Sequence, residues 1–457
     1  MQNIALIIAV VGGLIFLAHL FLHIFNRTRV PDVLLLIVVG IILGPASNLV
    51  PTESFGLVGP ILVTVTLVVI LFEGGIALKL SALKSALSKA VKLAVTSFFL
   101  TMIIVGVTAH LLLSLEWIPS LIIGSIAAST SEAIIIPLIN QLKISEKTHA
   151  LLSVESSVND VLSVAVTLAL IGAYQLGGDI NVGMITGDLI ASFLVAIVFG
   201  FGGAFLWSLI LRRIHTMKNA MFTTVAIVFA LFGLVETLGF SGAIAALAFG
   251  ITIGNIESIK LPKFGKPLAG NPVGLSETEK AFFTEASFLL KTFFFIYLGI
   301  SLQFSSTGII LIGILITFIA FVLRIPAVKI AVGKSVSTKE AALMSVMIPK
   351  GLAAAVLASI PAQAGISGGE LIRDVTYMVI LISIVATSVM IPLLERTRVS
   401  DFYEGIVSGN MRNLRKARSI NLAAPSKSNG HIKRLKEDGK ITPAGDKMFG
   451  DSKKDKD

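Results

Sequence analysis

The sequence predicts an all-α polytopic membrane protein of about thirteen transmembrane helices, and three observations carry that prediction. Of the 457 residues, 55% are hydrophobic and only 14% charged, more apolar surface than a soluble domain of this length can hide. Apolar runs of about twenty residues recur, the length a helix needs to cross the hydrocarbon, whereas barrel strands alternate polar and apolar residues in segments of about ten. Basic residues fall in every second connection between the runs, the pattern made by Lys and Arg accumulating on the cytoplasmic side.

The first run, MQNIALIIAV onward, has no basic n-region and no small-residue cleavage site, so it reads as a retained span near 3–25. Windows of membrane length then place spans near 33–50, 57–78, 91–115, 118–140, 148–174, 187–211, 220–238, 241–256, 283–302, 307–330, 340–360 and 373–394. Several are interrupted by Gly or Pro. The basic connections carry Arg27 and Arg29; Lys79, Lys84, Lys89 and Lys92; Lys143 and Lys147; Arg212, Arg213 and Lys218; Lys260, Lys263, Lys266 and Lys280; and Lys329, Lys334 and Lys339. The intervening connections offer only Arg373. A miscounted span would scramble this alternation, so the pattern predicts an outside N-terminus and a cytoplasmic C-terminus.

The chain has no cysteine, which excludes disulfide and thiolate chemistry. Its formal charge of +10 does not indicate nucleic acid, because about half of the excess lies in the last 58 residues, where 13 Lys/Arg face 8 Asp/Glu. The tail that contains them, 396–457, is polar and basic and predicts a mostly disordered cytoplasmic segment. Its piece MRNLRKAR (411–418) either rests on anionic lipid headgroups or is simply solvated.

Ionisable groups inside the hydrocarbon cost at least ~2.5 kcal/mol each on insertion scales, so each needs a reason. His19 and His23 lie one turn apart without a third ligand, Glu236, Glu257, Glu285 and His110 lie near span ends, and Lys291 can snorkel along its helix. Glu73, Glu155, Asp160, Arg324 and Lys350 resist that treatment. In VESSVNDVLS (154–163), Glu155 and Asn159 are four apart, as are Ser156 and Asp160, so all four share one broad face that cannot point at lipid. Two acids there call for a basic partner, and Arg324 in the middle of the eleventh span is the candidate for Glu155. This leaves Asp160 without an assigned partner. Burial raises the pKa of such a carboxylate and an arriving cation lowers it, which suits a group that exchanges a proton for a cation.

The fifth span contains GSIAASTSEAIIIP, small and polar residues ending at Pro137, and the twelfth contains MIPKGLAAA, with Pro349, Lys350 and Gly351 in mid-span. Interruptions at matching places seven spans apart point to an inverted-repeat transporter whose site lies where unwound helices cross. Exposed carbonyls there can ligate a cation, while the half-helix dipoles require balancing charge, for which Lys350 and Glu132 are placed.

These residues resemble the NhaP-type sodium/proton antiporters of the monovalent cation/proton antiporter family, in the branch of the sodium/hydrogen exchangers. Glu155-Ser156-x-x-Asn159-Asp160 reproduces that branch's E-S-x-x-N-D motif, FEGGIAL (72–78) is similar to its third span, FFFIYLGISL (293–302) to its tenth and PKGLAAAVLA (349–358) to its P-R-G-x-x-A segment. The likeness runs over roughly residues 1–395. It implies an NhaA-like antiporter fold with two crossed broken helices, a homodimer built through spans 1–3 and 8–10, a moving core of spans 4–6 and 11–13, span 7 as linker, and elevator-like alternating access. It further implies exchange of protons for Na+, Li+ or K+ in the cell membrane, serving pH homeostasis, without a cofactor. Asp160 would then bind cation or proton, Ser156 and the Thr130 carbonyl would help ligate the ion, Glu73 would contribute through water, and Glu155 would pair with Arg324 as a brace. Asn159 is similar to the neutral partner of electroneutral exchangers.

Two positions depart from the family pattern. Where the unwound fifth helix usually reads T-D-P, Thr130 is followed here by Ser131 and Glu132, so the acid is missing or displaced by one residue. Lys350 stands for the usual Arg, keeping the charge but not the bidentate fork. The rival readings are a K+/H+ antiporter, a cation sensor of the same fold that no longer transports, and an intramembrane hydrolase. For the last, no H-E-x-x-H pair occurs and His110 has no Ser at motif spacing.

Overall fold

In the computed structural model the described residues are 2–28, 30–51, 55–56, 58–78, 80–142, 144–175, 182–214, 221–257, 273–304, 306–333, 335–397 and 403–406. The tail from 407 onward, including 411–418, lies outside them. Fifteen α-helices are found among the described residues: α1 (Gln2–Thr28), α2 (Asp32–Ile41), α3 (Val58–Ala77), α4 (Leu80–Leu113), α5 (Trp117–Ala128), α6 (Glu132–Asn140), α7 (Glu146–Gln175), α8 (Val182–Ile214), α9 (Met221–Thr237), α10 (Gly242–Asn255), α11 (Glu277–Ser301), α12 (Thr307–Val332), α13 (Thr338–Val346), α14 (Leu352–Gln363) and α15 (Gly369–Arg396). Eight are long and apolar enough to cross a membrane, and five shorter apolar segments accompany them.

Local chemistry explains the helix ends. Ser276 and Ser337 close capping boxes with Glu279 and Glu340, each hydroxyl and carboxylate satisfying the other residue's backbone N–H. After Ile41 the chain leaves α2 through a wider π turn at Ile42–Ala46, where Pro45 cannot supply a helical N–H.

The two interruptions predicted from sequence are breaks. α13 stops at Val346 and α14 starts at Leu352, with Met347 at φ −88°, ψ 82°. Pro349 accounts for this stop, because a proline pushes the preceding residue out of helical conformation. In the other hairpin the break falls at Ser129–Ser131, where Ser129 and Ser131 are both extended. Pro137, the last residue of the string GSIAASTSEAIIIP, sits inside α6, and the small hydroxyl residues before it make the break.

Two groups of helices emerge from the packing. In one, α4, α5 to α7 and α12 to α15 interlock, with α4 against α5 and α12, α7 against α4 and α5, and α14 against α15. In the other, α2 packs on α11, and α10 lies against α3, α8 and α9. Glycine lets backbones touch within this second group: a Cβ on Gly40 would meet Gly299 Cα at 2.8 Å, and one on Gly250 would meet Gly75 Cα at 3.1 Å. Where α3, α9 and α10 face α7 and α14, a cavity of about 480 Å³ separates them, with Leu67, Gly172, Glu236, Ile244 and Gln363 in its wall.

Candidate functional site

The two unwound segments cross and are tied by their backbones: the Ser131 N–H donates to the Pro349 carbonyl at 2.9 Å. Breaking α5 frees its terminal carbonyls, and buried side chains take them up. Lys350, 2% exposed, donates from Nζ to the Ser129 carbonyl at 2.7 Å. Its Nζ thus lies at the C-terminal, negative end of the α5 dipole. The Lys350 N–H donates to Ser383 Oγ at 3.0 Å, and Thr387 Oγ1 donates to the Val346 carbonyl at the end of α13 at 3.4 Å.

α7 carries the polar face of VESSVNDVLS against this crossing. Ser156 Oγ donates to the Thr130 carbonyl at 2.9 Å, and Asn159 Nδ2 donates to Thr130 Oγ1 at 3.1 Å and to Glu155 Oε1 at 2.7 Å. The two Asn159 bonds fix the amide orientation. Asn159 Oδ1 is buried with no hydrogen-bond partner among the described residues, so a cation or a water would find an acceptor there.

Glu155 and Arg324, 0% and 1% exposed, form a bidentate pair: Nη1 to Oε1 and Nη2 to Oε2, both 2.8 Å. Arg324 also donates from Nη1 to Ser97 Oγ at 3.1 Å and from Nε to the Met344 carbonyl at 3.3 Å. One guanidinium thereby joins α12, α7, α4 and α13. The pairing inferred from the cost of buried charge is present, and the fork geometry that only Arg supplies is used in full. Sequence reading misses Ser97, Met344 and Ser383, since a hydroxyl or carbonyl in a span requires no particular partner and carries no signal.

Asp160 follows Ser156 by one turn and is partly exposed, unlike Glu155, Ser156 and Asn159. The sequence assigns it no partner; in the fold it is not without one. Ser131 packs its side chain against Gly351, where a Cβ would collide with the Ser131 hydroxyl. Glu132 opens α6, and its side chain lies outside the described residues.

Glu73 is on α3, in the other helix group. It accepts from Ser287 Oγ at 2.6 Å and pairs with Lys291 Nζ at 3.5 Å. Lys291 thus has a carboxylate partner rather than only a path along its helix to water. Among the described residues, no group of three or more His, Asp or Glu is arranged to hold a metal ion.

Comparison with known proteins bears directly on this arrangement. The model of the sodium/hydrogen exchanger transmembrane family matches residues 12–396. A K(+)/H(+) antiporter NhaP2 of Shewanella sp. (strain ANA-3) is 25% identical over 370 residues, 79% of this chain and 61% of that protein. The chain therefore spans about three fifths of the length of that relative. Na(+)/H(+) antiporter 1 of Methanocaldococcus jannaschii is 26% identical over 220 residues, 47% of this chain and 48% of that protein. The structure of the sodium proton antiporter MjNhaP1 from the same organism at pH 8 superposes with a TM-score of 0.65 at 24% identity, covering 86% of this chain and 99% of that one, so the fold is shared. With an E-S-x-x-N-D face on α7, two crossed broken helices and a family match over most of its length, the chain belongs to the sodium/hydrogen exchanger family.

Proposed function

We propose that the protein is a secondary antiporter that exchanges protons for monovalent cations, Na+, Li+ or K+, and that Asp160 binds one or the other in turn. The supporting observation is the division of labour on α7. Glu155 is committed to Arg324, while Asp160 stays partly exposed beside the crossing. The relatives bear on this as well, since those named above are Na(+)/H(+) and K(+)/H(+) antiporters, transporters rather than enzymes.

In this reading an empty Asp160 carries one negative charge, and either a proton or a monovalent cation neutralises it. The loaded site therefore has the same charge in both directions of transport, and exchange is electroneutral. Glu155 and Arg324 cancel each other's charge and stay out of the exchange. Lys350 stays bonded to the α5 end. Ser156, the Thr130 carbonyl, Asn159 and Ser131 surround the ion, Glu132 is a further candidate by its position at the start of α6, and Glu73 reaches it through water when its pairing with Lys291 relaxes. Protons compete with cations for one carboxylate, so lowering the pH on one side weakens cation binding on that side.

The two helix groups would serve as the moving and fixed bodies of an elevator. α4 to α7 and α12 to α15 form the moving core. α1 to α3 and α9 to α11 form the dimerisation part, and α8 is the link. The glycine-tight packing within the second group and the cavity between the groups suit relative sliding. We further propose a homodimer in the cell membrane with thirteen spans, N-terminus outside and a cytoplasmic tail.

Everted vesicles with an imposed pH gradient test the reading. Cations added to vesicles carrying the parent protein should dissipate the gradient. Asp160→Asn, which keeps size and hydrogen bonding but cannot take up and release a proton, should reduce the response to the background of empty vesicles. Normal exchange by Asp160→Asn would overturn the mechanism.

A further inference from the structure

The polar stripe of α7 does not end at Asp160. Ser163 and Thr167 continue it at the spacing Ser156, Asn159, Ser163, Thr167, which keeps all four on one face. All four are 0% exposed, and all four bond to α5 or to the segment that follows it. Ser163 Oγ donates to the Ser125 carbonyl at 3.0 Å, and the Thr167 and Ser125 hydroxyls meet at 2.7 Å. Ser125 spends its own proton on the Ile122 carbonyl at 2.9 Å, so Thr167 is the donor between them.

The Ser125 carbonyl is one of the last four of α5, which the break at Ser129 leaves without helical partners. Ser163 satisfies it. The backbone stretch from Ser125 to Thr130, which ends in the ion's proposed carbonyl ligand, is therefore held by α7 at both ends: by Ser163 and Thr167 at one, by Ser156 and Asn159 at the other. This two-point attachment fixes where the Thr130 carbonyl stands relative to α7, the helix that carries Asp160. A cage of fixed size discriminates among ions that differ in radius, and a cage free to adjust discriminates less.

We propose that Ser125, Ser163 and Thr167 are positioning residues that set ion selectivity by holding the α5 break in register with Asp160. This rests on the reading of Asp160 as the exchanging group. The three residues touch neither ion nor proton; they act through Thr130.

The experiment uses full-length protein in proteoliposomes, with apparent affinities and maximal rates for Li+, Na+ and K+ measured for the parent, Ser163→Ala, Thr167→Val, Ser163→Thr and Asp160→Asn, and melting midpoints recorded in parallel. Ser163→Ala and Thr167→Val should narrow the spread of the three affinities by about threefold or more, the size of one hydrogen bond, with maximal rates within about twofold of the parent. Ser163→Thr keeps the hydroxyl and should restore the spread. A merely structural role would lower the melting midpoint and scale all three ions together. Unchanged affinity ratios in both variants, uniform scaling, or no rescue by Ser163→Thr overturns the proposal. Activity in Asp160→Asn would instead sink the site reading itself, so the two failures are distinguishable. Thr167→Val carries the test on its own should Ser163→Ala not accumulate.

Discussion

Replacing Arg324 by Met is expected to lower stability by about 3–5 kcal/mol, because it strands the fully buried Glu155 carboxylate with only the Asn159 amide for company. The Ser97 hydroxyl and the Met344 carbonyl lose their donor as well. Glu155→Gln alone should be comparably damaging, since it leaves a guanidinium in the interior with no counter-charge beside it. The double variant Glu155→Gln/Arg324→Met removes both charges and still offers Asn159 an acceptor. It should therefore recover most of the loss, as replacements of whole buried ion pairs tend to do. Melting midpoints of detergent-purified protein check this. Singles that melt like the parent, or a double that melts below both singles, would show that the pair does not brace the core.

Gly351→Ala is the second large effect, and it acts on transport rather than on folding. A Cβ at Gly351 would run into the Ser131 hydroxyl, while the Ser131 N–H bond to the Pro349 carbonyl holds the two backbones together. Overpacking of this kind costs about 1–3 kcal/mol. Most of it is relieved by spreading the crossing and with it the Thr130 carbonyl. Cation affinity should fall by about tenfold to a hundredfold while the protein still assembles. Adding Ser131→Gly removes the colliding atoms, so Gly351→Ala/Ser131→Gly should regain much of the affinity. Cation titration of proton movement in vesicles reads both variants, and a double no better than the single would locate the damage elsewhere.

What can be read from the sequence follows the size of the penalties involved. A carboxylate buried among apolar spans is costly enough that Glu155 requires a basic partner, and Arg324 provides it through two bonds. Membrane length and the repeated basic loops are equally forcing for the helices. Pro349 locates one break through its effect on Ile348. Pro137 is a poor guide to the other, because it lies six residues into α6 and the break falls before that helix, at the less conspicuous Ser129, Thr130 and Ser131. Ser97, Ser125, Ser163 and Thr167 are illegible as partners, since a hydroxyl can satisfy itself on its own helix, as Thr252 and Ser388 do here. Lys291 reads as a residue that snorkels because its partner, Glu73, lies 218 positions away in sequence, and nothing local announces that α3 and α11 adjoin.

The most direct measurement is the number of protons released when a saturating cation binds the purified protein, followed by calorimetry in buffers of different ionisation enthalpy as the pH is lowered. One carboxylate that holds either a proton or a cation gives a release that rises toward one proton per cation, never exceeds it, and vanishes in Asp160→Asn. Release approaching two protons per cation, or release that persists in Asp160→Asn, would contradict exchange at a single acid.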